Sequence, residues 1–340
     1  LAAILNRNEV DSMYTNKKIL ITGGTGTLGY HLTKRLLQYS PQVIRIFSRD
    51  EHKQYEMSQE LQQHSTHMRY LIGDVRDQQR LLRAMEDIDY VFHLAAMKHV
   101  PFCEYNPFEA VQTNVIGTQN VIQAAIQAGV SKVLFTSSDK AISPTNTYGA
   151  TKLMGERLIS AAEYQKGPKS TTFSSVRFGN VMGSRGSVIP LFKKQILEQG
   201  YVTVTDPEML RYMMTPSQAI ELILKANEMA RGGEIFVLKM PIVKIHDLAE
   251  AIICEYGHKL KRKSVEVKIV GLRQGEKREE EIMSSEEKFS CIEKEDMFII
   301  PSIFSDKAAY IELGKSELHL NSMIINQETL RKWLLEENLL

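Results

Sequence analysis

Ile19-Leu20-Ile21-Thr22-Gly23-Gly24-Thr25-Gly26-Thr27-Leu28-Gly29 is the stretch on which the fold turns. The run Lys18–Thr22 reads as a buried strand, and His31–Gln38, with apolar residues recurring at three and four, reads as a helix. Between them, glycines at 23, 26 and 29 permit a tight turn, close approach of backbone to a pyrophosphate, and close helix–strand packing. The helix N-terminus then offers its first N–H groups to the phosphates. A glycine triplet alone is only a turn. Set between a strand and a helix at the head of a repeating pattern, it predicts nucleotide binding through Gly23, Thr25, Gly26, Thr27, Leu28 and Gly29.

The pattern continues. Val43–Ser48, Met68–Ile72, Tyr90–Leu94, Lys132–Ser137 and Thr172–Arg177 read as strands, separated by helical segments Glu51–Gln63, Gln78–Met85 and Asn106–Ala128. Strands alternating with helices predict an α/β protein, a Rossmann-like doubly wound parallel sheet covered on both faces. After Asn180 the regularity weakens: Ile189–Gln199, Ile245–Tyr256 and Glu328–Leu335 read as helices, Tyr201–Thr205 and Val265–Val270 as strands. The expected organisation is an N-terminal arm over 1–16, a dinucleotide-binding domain over 17–180, and mainly a smaller C-terminal substrate-binding lobe with an extension over 181–340.

Bulk properties narrow the function classes. The 340 residues are 43% hydrophobic and 24% charged, with a net charge of +1, an ordinary globular composition. No long basic stripe balances a nucleic-acid backbone, so no nucleic-acid partner is expected. The short basic cluster Lys259–Lys263 reads as a solvated loop. Cys103, Cys254 and Cys291 follow no metal-ligand spacing and fit a reducing compartment, so no metal and no disulfide are expected. No apolar run reaches the roughly 18 residues of a membrane span, and the first residues are too polar for a secretory signal. A cytoplasmic location is expected; the chain opens on Leu1 rather than Met, which leaves a longer precursor with a membrane segment open.

The second strand ends Phe47-Ser48-Arg49-Asp50, with Lys53 one turn on. An acid about 20 residues beyond the glycines suits a ribose hydroxyl and hence NAD, whereas an arginine there suits the 2′-phosphate of NADP. Ser48, Arg49 and Lys53 make a better phosphate pocket than Asp50 makes a ribose ligand, which favours NADP over NAD. Asp74 and Val75 follow the third strand, where an adenine edge would lie; Asp74 serves equally well as a helix cap.

Mid-chain, Ser137-Ser138-Asp139-Lys140 follows a strand and Tyr148-Gly149-Ala150-Thr151-Lys152 opens a helix. Tyr-x-x-x-Lys places both side chains on one helix face, and the Lys152 ammonium is expected to lower the pKa of Tyr148 into the range of a usable base. Asp139 and Lys140 exceed what a simple oxidation needs.

These residues resemble the extended short-chain dehydrogenase/reductase family, and within it the nucleotide-sugar 4,6-dehydratases acting on UDP-N-acetylglucosamine in polysaccharide biosynthesis. The matching segments run from about Lys17 to Lys277 and include Ser138–Tyr148, Ala95-Ala96-Met97-Lys98-His99-Val100-Pro101, Thr113-Asn114, Arg177–Pro190 and Thr205–Arg211. The resemblance implies NADP contacts at Ala95, Ala96, Asn114, Tyr148 and Lys152. It implies a UDP-sugar held by Lys98, Asn180, Arg185, Thr205, Arg211, Arg273 and Glu276, with His99 and Glu104 as further candidates. Tyr148, supported by Ser138 and Lys152, would take the proton of the sugar C4 hydroxyl. Lys140 would take the C5 proton, its pKa lowered by burial near Lys152 and an oxidised nicotinamide ring, and Asp139 would protonate the departing C6 hydroxyl as the other half of a coupled pair. A tyrosine at the Tyr-x-x-x-Lys position tilts towards inversion at C5. The long helices Asn106–Ala128 and Tyr148–Gln165 are those through which relatives associate, so a homo-oligomer is expected.

Two departures stand out. The family's Arg-Pro-Gly-Glu-Lys is Arg273-Gln274-Gly275-Glu276-Lys277, and its following His-Glu reads Arg278-Glu279. Met213-Met214-Thr215-Pro216 is apolar-shifted. A UDP-sugar 4-epimerase needs Tyr148 and Lys152 but no elimination and stays open as the alternative; a nucleotide-binding sensor without chemistry would not need to keep both residues.

Overall fold

The computed structural model describes residues 13–259, 265–273, 275–302 and 323–340. Residues 1–12 of the expected arm, Gln274 and the side chains of Lys259–Lys263 lie outside the described residues. Strands β1 (Lys18–Thr22), β2 (Val43–Ser48), β3 (Met68–Ile72), β4 (Tyr90–His93), β5 (Lys132–Thr136) and β6 (Thr172–Arg177) pair in parallel in the order β3-β2-β1-β4-β5-β6. The chain winds outward from β1 and then crosses to start again at β4. The resulting crevice between the carboxyl ends of β1 and β4 is where such sheets bind ligands.

Side-chain alternation builds a core on each face. Ile19 and Ile21 pack with Leu32, Leu36, Ile44 and Ile46 on one side, whereas Leu20 packs with Val91, Val133 and Phe135 on the other. The next strands are β7 (Asn180–Val181), β8 (Tyr201–Val204), β9 (Leu210–Met214), β10 (Ile235–Leu238), β11 (Ile242–Lys244), β12 (Glu266–Ile269), β13 (Ile292–Glu293) and β14 (Met297–Ile300). The chain returns to the large sheet after residue 181. β10 pairs in parallel with β6, and β14 and β13 follow as antiparallel edge strands. The remaining strands form two small sheets, β11-β9-β7 and β12-β8. A third core holds Phe192 and Ile196, Val202 and Val204, Leu248 and Ile252, and Leu330 and Leu334.

The sequence reading gives six strands of this sheet; Ile235-Phe236-Val237-Leu238, a fully buried apolar run, extends it unforeseen. The expected helix Asn106–Ala128 is broken into Pro107–Val111, a wide π turn over Gln112–Ile116, and Gly117–Ala128. The wide turn carries Asn114, whose amide bonds both backbone groups of Met97. Among the described residues no helix is long and apolar enough to cross a membrane.

One buried ionic cluster ties the sheet to its covering elements. Arg177, fully buried at the end of β6, donates to both carboxylate oxygens of Glu156 at 2.9 and 2.7 Å. It also donates to both oxygens of Glu287 at 2.8 and 2.9 Å and to the Ile282 carbonyl at 3.0 Å. Glu156 lies on the helix Thr147–Gln165, and Glu287 on the segment leading to β13. Removing one partner strands a buried charge, which costs about 3–5 kcal/mol. Arg177→Met should therefore lower the stability read by urea denaturation by that amount; a loss below ~1 kcal/mol would show the cluster to be dispensable.

Candidate active site

A cleft of about 760 Å³ opens at the carboxyl ends of β1, β4, β5 and β6. Its floor is the glycine loop. Gly23 has φ +68°, and a Cβ there would lie 2.8 Å from the Ala95 backbone; a Cβ on Gly29 would lie 2.6 Å from that of Gly24. The helix Thr27–Leu37 starts at Gly26 with no side-chain cap, so its first N–H groups are left to a ligand. The cradle therefore fits a pyrophosphate.

Thr25, Ser48, Arg49, Asp50, Lys53, Asp74, Val75, Ala95 and Ala96 line the same cleft. The Ser48 hydroxyl accepts from Thr25 Oγ1 at 3.2 Å and from Gln54 Nε2 at 3.0 Å. Asp50 caps the helix Glu51–Glu60, accepting from the Lys53 N–H at 3.0 Å and pairing with its ammonium. Those bonds hold its carboxyl below the usual range. Asp74 accepts three bonds from Arg76 and lies 3.6 Å from Arg49. Burial alone would raise its pKa, but the arginines win and lower it. Asn114 stands behind the wall: its amide accepts from Met97 N at 2.8 Å and donates to Met97 O and Thr151 Oγ1, each at 2.9 Å.

At the end of β5, Ser138 opens the short turn Asp139–Ala141. Its hydroxyl donates to Asp139 Oδ1 at 2.8 Å, which also accepts from Lys140 N at 2.9 Å and Lys140 Nζ at 3.1 Å. Asp139 is buried, and its Oδ2 has no hydrogen-bond partner among the described residues. Lys140 Nζ also lies 3.4 Å from Glu280 Oε1. Burial alone would push the Lys140 ammonium down, but Asp139 and Glu280 outweigh it and raise its pKa. The expected depression of Lys140 by Lys152 is thus corrected: two carboxylates, not a second lysine, set its charge.

Tyr148 sits at the start of the helix Thr147–Gln165, which Asn146 caps by accepting from Gly149 N at 2.9 Å. Burial pushes its phenol up to about 12, against a hydrogen bond with Ser138 and the Lys140 charge. Lys152 is buried on the same helix, donates to the Thr136 carbonyl at 2.7 Å and stacks 4.5 Å above the Phe135 ring. Burial pushes its ammonium down to about 7. The expected lowering of Tyr148 by Lys152 is therefore corrected too; the favourable charge at Tyr148 is Lys140's.

Of the residues expected around a UDP-sugar, Lys98, Asn180 and Arg185 line the cleft. Arg185 N donates to Thr27 Oγ1 at 3.1 Å, which brings its loop over the glycine cradle. Thr205, Arg211, Arg273 and Glu276 do not line it. Arg211 is buried, with its guanidinium on the carbonyls of Leu210, Lys277 and Arg278 at 2.7, 2.8 and 3.0 Å, and lies 3.7 Å from Glu276. Thr205 Oγ1 rests on Met209 Sδ at 3.6 Å, and Arg273 is exposed. Where the sequence departs at Arg278-Glu279, Arg278 pairs with Asp206, Glu279 is exposed, and the next residue, Glu280, is the one buried at Lys140. Only burial separates Glu280 from its acidic neighbours, so no sequence signal singles it out.

The family model described as polysaccharide biosynthesis protein matches residues 19–302. A Campylobacter jejuni protein named UDP-N-acetylglucosamine 4,6-dehydratase (inverting) is 47% identical over 299 residues, covering 87% of this chain and 86% of its own. A Rickettsia conorii protein named UDP-glucose 4-epimerase is 39% identical, covering 95% of this chain and 96% of its own. The X-ray structure of Pen from Bacillus thuringiensis superposes with a TM-score of 0.90 at 52% identity, covering 96% of this chain and 99% of its own.

A buried lysine with a depressed pKa makes stability pH-dependent. Folded Lys152 loses its proton near pH 7, whereas the unfolded chain keeps it to about 10.4. The cost is full below pH 7 and fades as pH rises to about 10.4. The stability deficit of the wild type relative to Lys152→Met should shrink over that window in urea denaturation; a pH-independent difference would contradict the depressed pKa.

Proposed function

We propose, for a chain that belongs to the polysaccharide biosynthesis protein family, that it is a UDP-N-acetylglucosamine 4,6-dehydratase working with NADP and inverting C5. One observation carries the reading. Asp139 and Lys140, in contact at 3.1 Å, share a turn with Ser138 and lie beside Tyr148, so a proton-transfer pair adjoins an oxidation set. The name borne by the Campylobacter jejuni relative supports it. Residues 17–180 would hold the dinucleotide, and residues after 181 would mainly shape the sugar-nucleotide end. Ser48, Arg49 and Lys53 at one end of the cleft favour a 2′-phosphate and hence NADP.

A dinucleotide held by the glycine cradle and by Ser48, Arg49 and Lys53 would supply hydride transfer between sugar C4 and C6. Tyr148 Oη takes the C4 hydroxyl proton, with Ser138 and the Lys140 charge favouring the phenolate that burial opposes. The resulting ketone acidifies C5–H. Passing the Lys140 proton to Asp139 across their contact yields a neutral amine and a carboxylic acid, the two states elimination needs. Lys140 Nζ then takes the C5 proton, and the freed pair becomes the C5–C6 double bond. The C6–O bond breaks, and its oxygen leaves as water with the proton from Asp139. The proton that Tyr148 took from the C4 hydroxyl, delivered to the face of C5 opposite Lys140, would give inversion and restore the phenolate. One water is lost and the cofactor is regenerated.

The Rickettsia conorii relative favours 4-epimerisation as a second reading, which needs Tyr148 and not Asp139–Lys140. Purified protein given UDP-N-acetylglucosamine and NADP should release a product lighter by one water, and more slowly with NAD. Lys140→Ala should lower water loss by about 10²–10⁴ while keeping NADP affinity. An isomer of unchanged mass would instead establish the epimerase, and lost cofactor binding in Lys140→Ala would make that lysine structural.

We further infer that a second copy covers the exposed Tyr105 and Phe108, on the short helices that precede Gly117–Ala128. Light scattering should give at least twice the chain mass of 38.7 kDa; a monomer mass would overturn this.

A further inference from the structure

Lys140 receives a carboxylate from far along the chain. Glu280 arrives on the segment Gly275–Glu280, and its carboxylate is buried, which is costly unless it is paired. That segment is fastened to the Lys140 turn and its neighbours. Thr145 Oγ1 and Asn146 Nδ2 donate to Gly275 O at 3.0 and 3.2 Å, and Lys277 Nζ donates to Ile142 O at 3.0 Å. From the other side Arg211 donates to the Lys277 and Arg278 carbonyls. These bonds aim Glu280 at Lys140.

We propose that Glu280 is a positioning residue for water elimination: it holds Lys140 Nζ against Asp139 and sets how readily that amine gives up its proton. This rests on the reading of the site as a dehydratase. The groups facing Lys140 are Asp139 from its own turn, Glu280 from the segment, Arg211 from β9 and Tyr148 from the helix start. Two are carboxylates and one is a guanidinium, so the ammonium is favoured while the phenol is neutral. Asp139 is fixed by its turn and must exchange a proton with Lys140 during the reaction. Glu280 reaches Lys140 from outside that turn and is the carboxylate that need not take part in the exchange. Taking away its charge leaves Lys140 with one carboxylate against Arg211, and the amine deprotonates at lower pH.

The test follows Lys140 directly and in turnover. In protein labelled with ¹³Cε-lysine and free of cofactor, with the signal assigned through Lys140→Arg, Glu280→Gln should titrate at least about one pH unit below wild type. Glu280→Asp should stay closer to wild type. Lys277→Met, which unfastens the segment from Ile142, should shift Lys140 in the same direction, and it serves if Glu280→Gln does not fold. In the holoenzyme the rising limb of the pH profile for water loss should move down in Glu280→Gln, while nicotinamide reduction on adding UDP-N-acetylglucosamine keeps its rate at a pH where Lys140 is charged in both proteins. An unmoved Lys140 titration in folded Glu280→Gln and Lys277→Met overturns the proposal. A shifted titration with nicotinamide reduction but no water loss in the wild type overturns the dehydratase reading instead, and with it this role in elimination.

Discussion

The helix Thr147–Gln165 lies closer to β5 and its following turn than any residue but glycine would permit at two of its positions. A Cβ at Gly149 would stand 2.1 Å from the Lys140 carbonyl, and one at Gly155 would stand 2.6 Å from the Phe135 ring. Real Cβ atoms do not approach that closely, so the seat of the helix is fixed by these two contacts. Everything chemical hangs from this seat. Tyr148 and Lys152 come from the helix, Ser138, Asp139 and Lys140 from the turn beneath it, and Arg177 binds the helix to β6 through Glu156.

The close seat also explains why the electrostatics differ from what residue spacing implies. Tyr-x-x-x-Lys puts the two side chains on one face, but burial leads Lys152 to the Thr136 carbonyl, above an aromatic ring. There burial destabilises its ammonium, and burial, Ser138 and Lys140 are the main influences on Tyr148. Lys140, by contrast, keeps its charge because carboxylates from two elements reach it. Desolvation is the larger effect for Lys152 and Tyr148, and pairing is the larger for Lys140. Spacing along a helix tells which groups are near each other; it does not tell which are dry.

The legibility of the sequence follows the same division. The six parallel strands were readable because each is an apolar run between helical periods, and the glycine loop because backbone geometry demands glycine there. Expected strand ends overshot by one residue at Leu94 and Ser137, both of which fall on the cleft wall just past β4 and β5. The π turn at Gln112–Ile116 was invisible because its sequence keeps helical periodicity, whereas the bonds between Asn114 and Met97 join residues 17 positions apart. Past residue 181 the strands are as short as two residues, and periodicity over two residues carries no signal. The gathering of Arg211, Glu276 and Glu280 depends on contacts about 70 to 140 positions apart, which no local pattern encodes.

That gathering bears on the chemistry itself. Oxidation at C4 asks one base to take one proton, and a phenol beside a serine suffices. Elimination of water asks for a base and an acid at neighbouring atoms, and a lysine touching an aspartate supplies both only if the proton can pass between them. A pair of this kind rests as an ion pair, and a second carboxylate beside the lysine favours the ammonium further. What the second carboxylate adds is position: were Asp139 to take the proton, Glu280 would remain beside the amine. An epimerase has no use for such a relay, since its proton goes out and back at one oxygen. The presence of two buried carboxylates on one lysine, one fixed and one delivered by a fastened segment, is therefore better matched to elimination than to epimerisation.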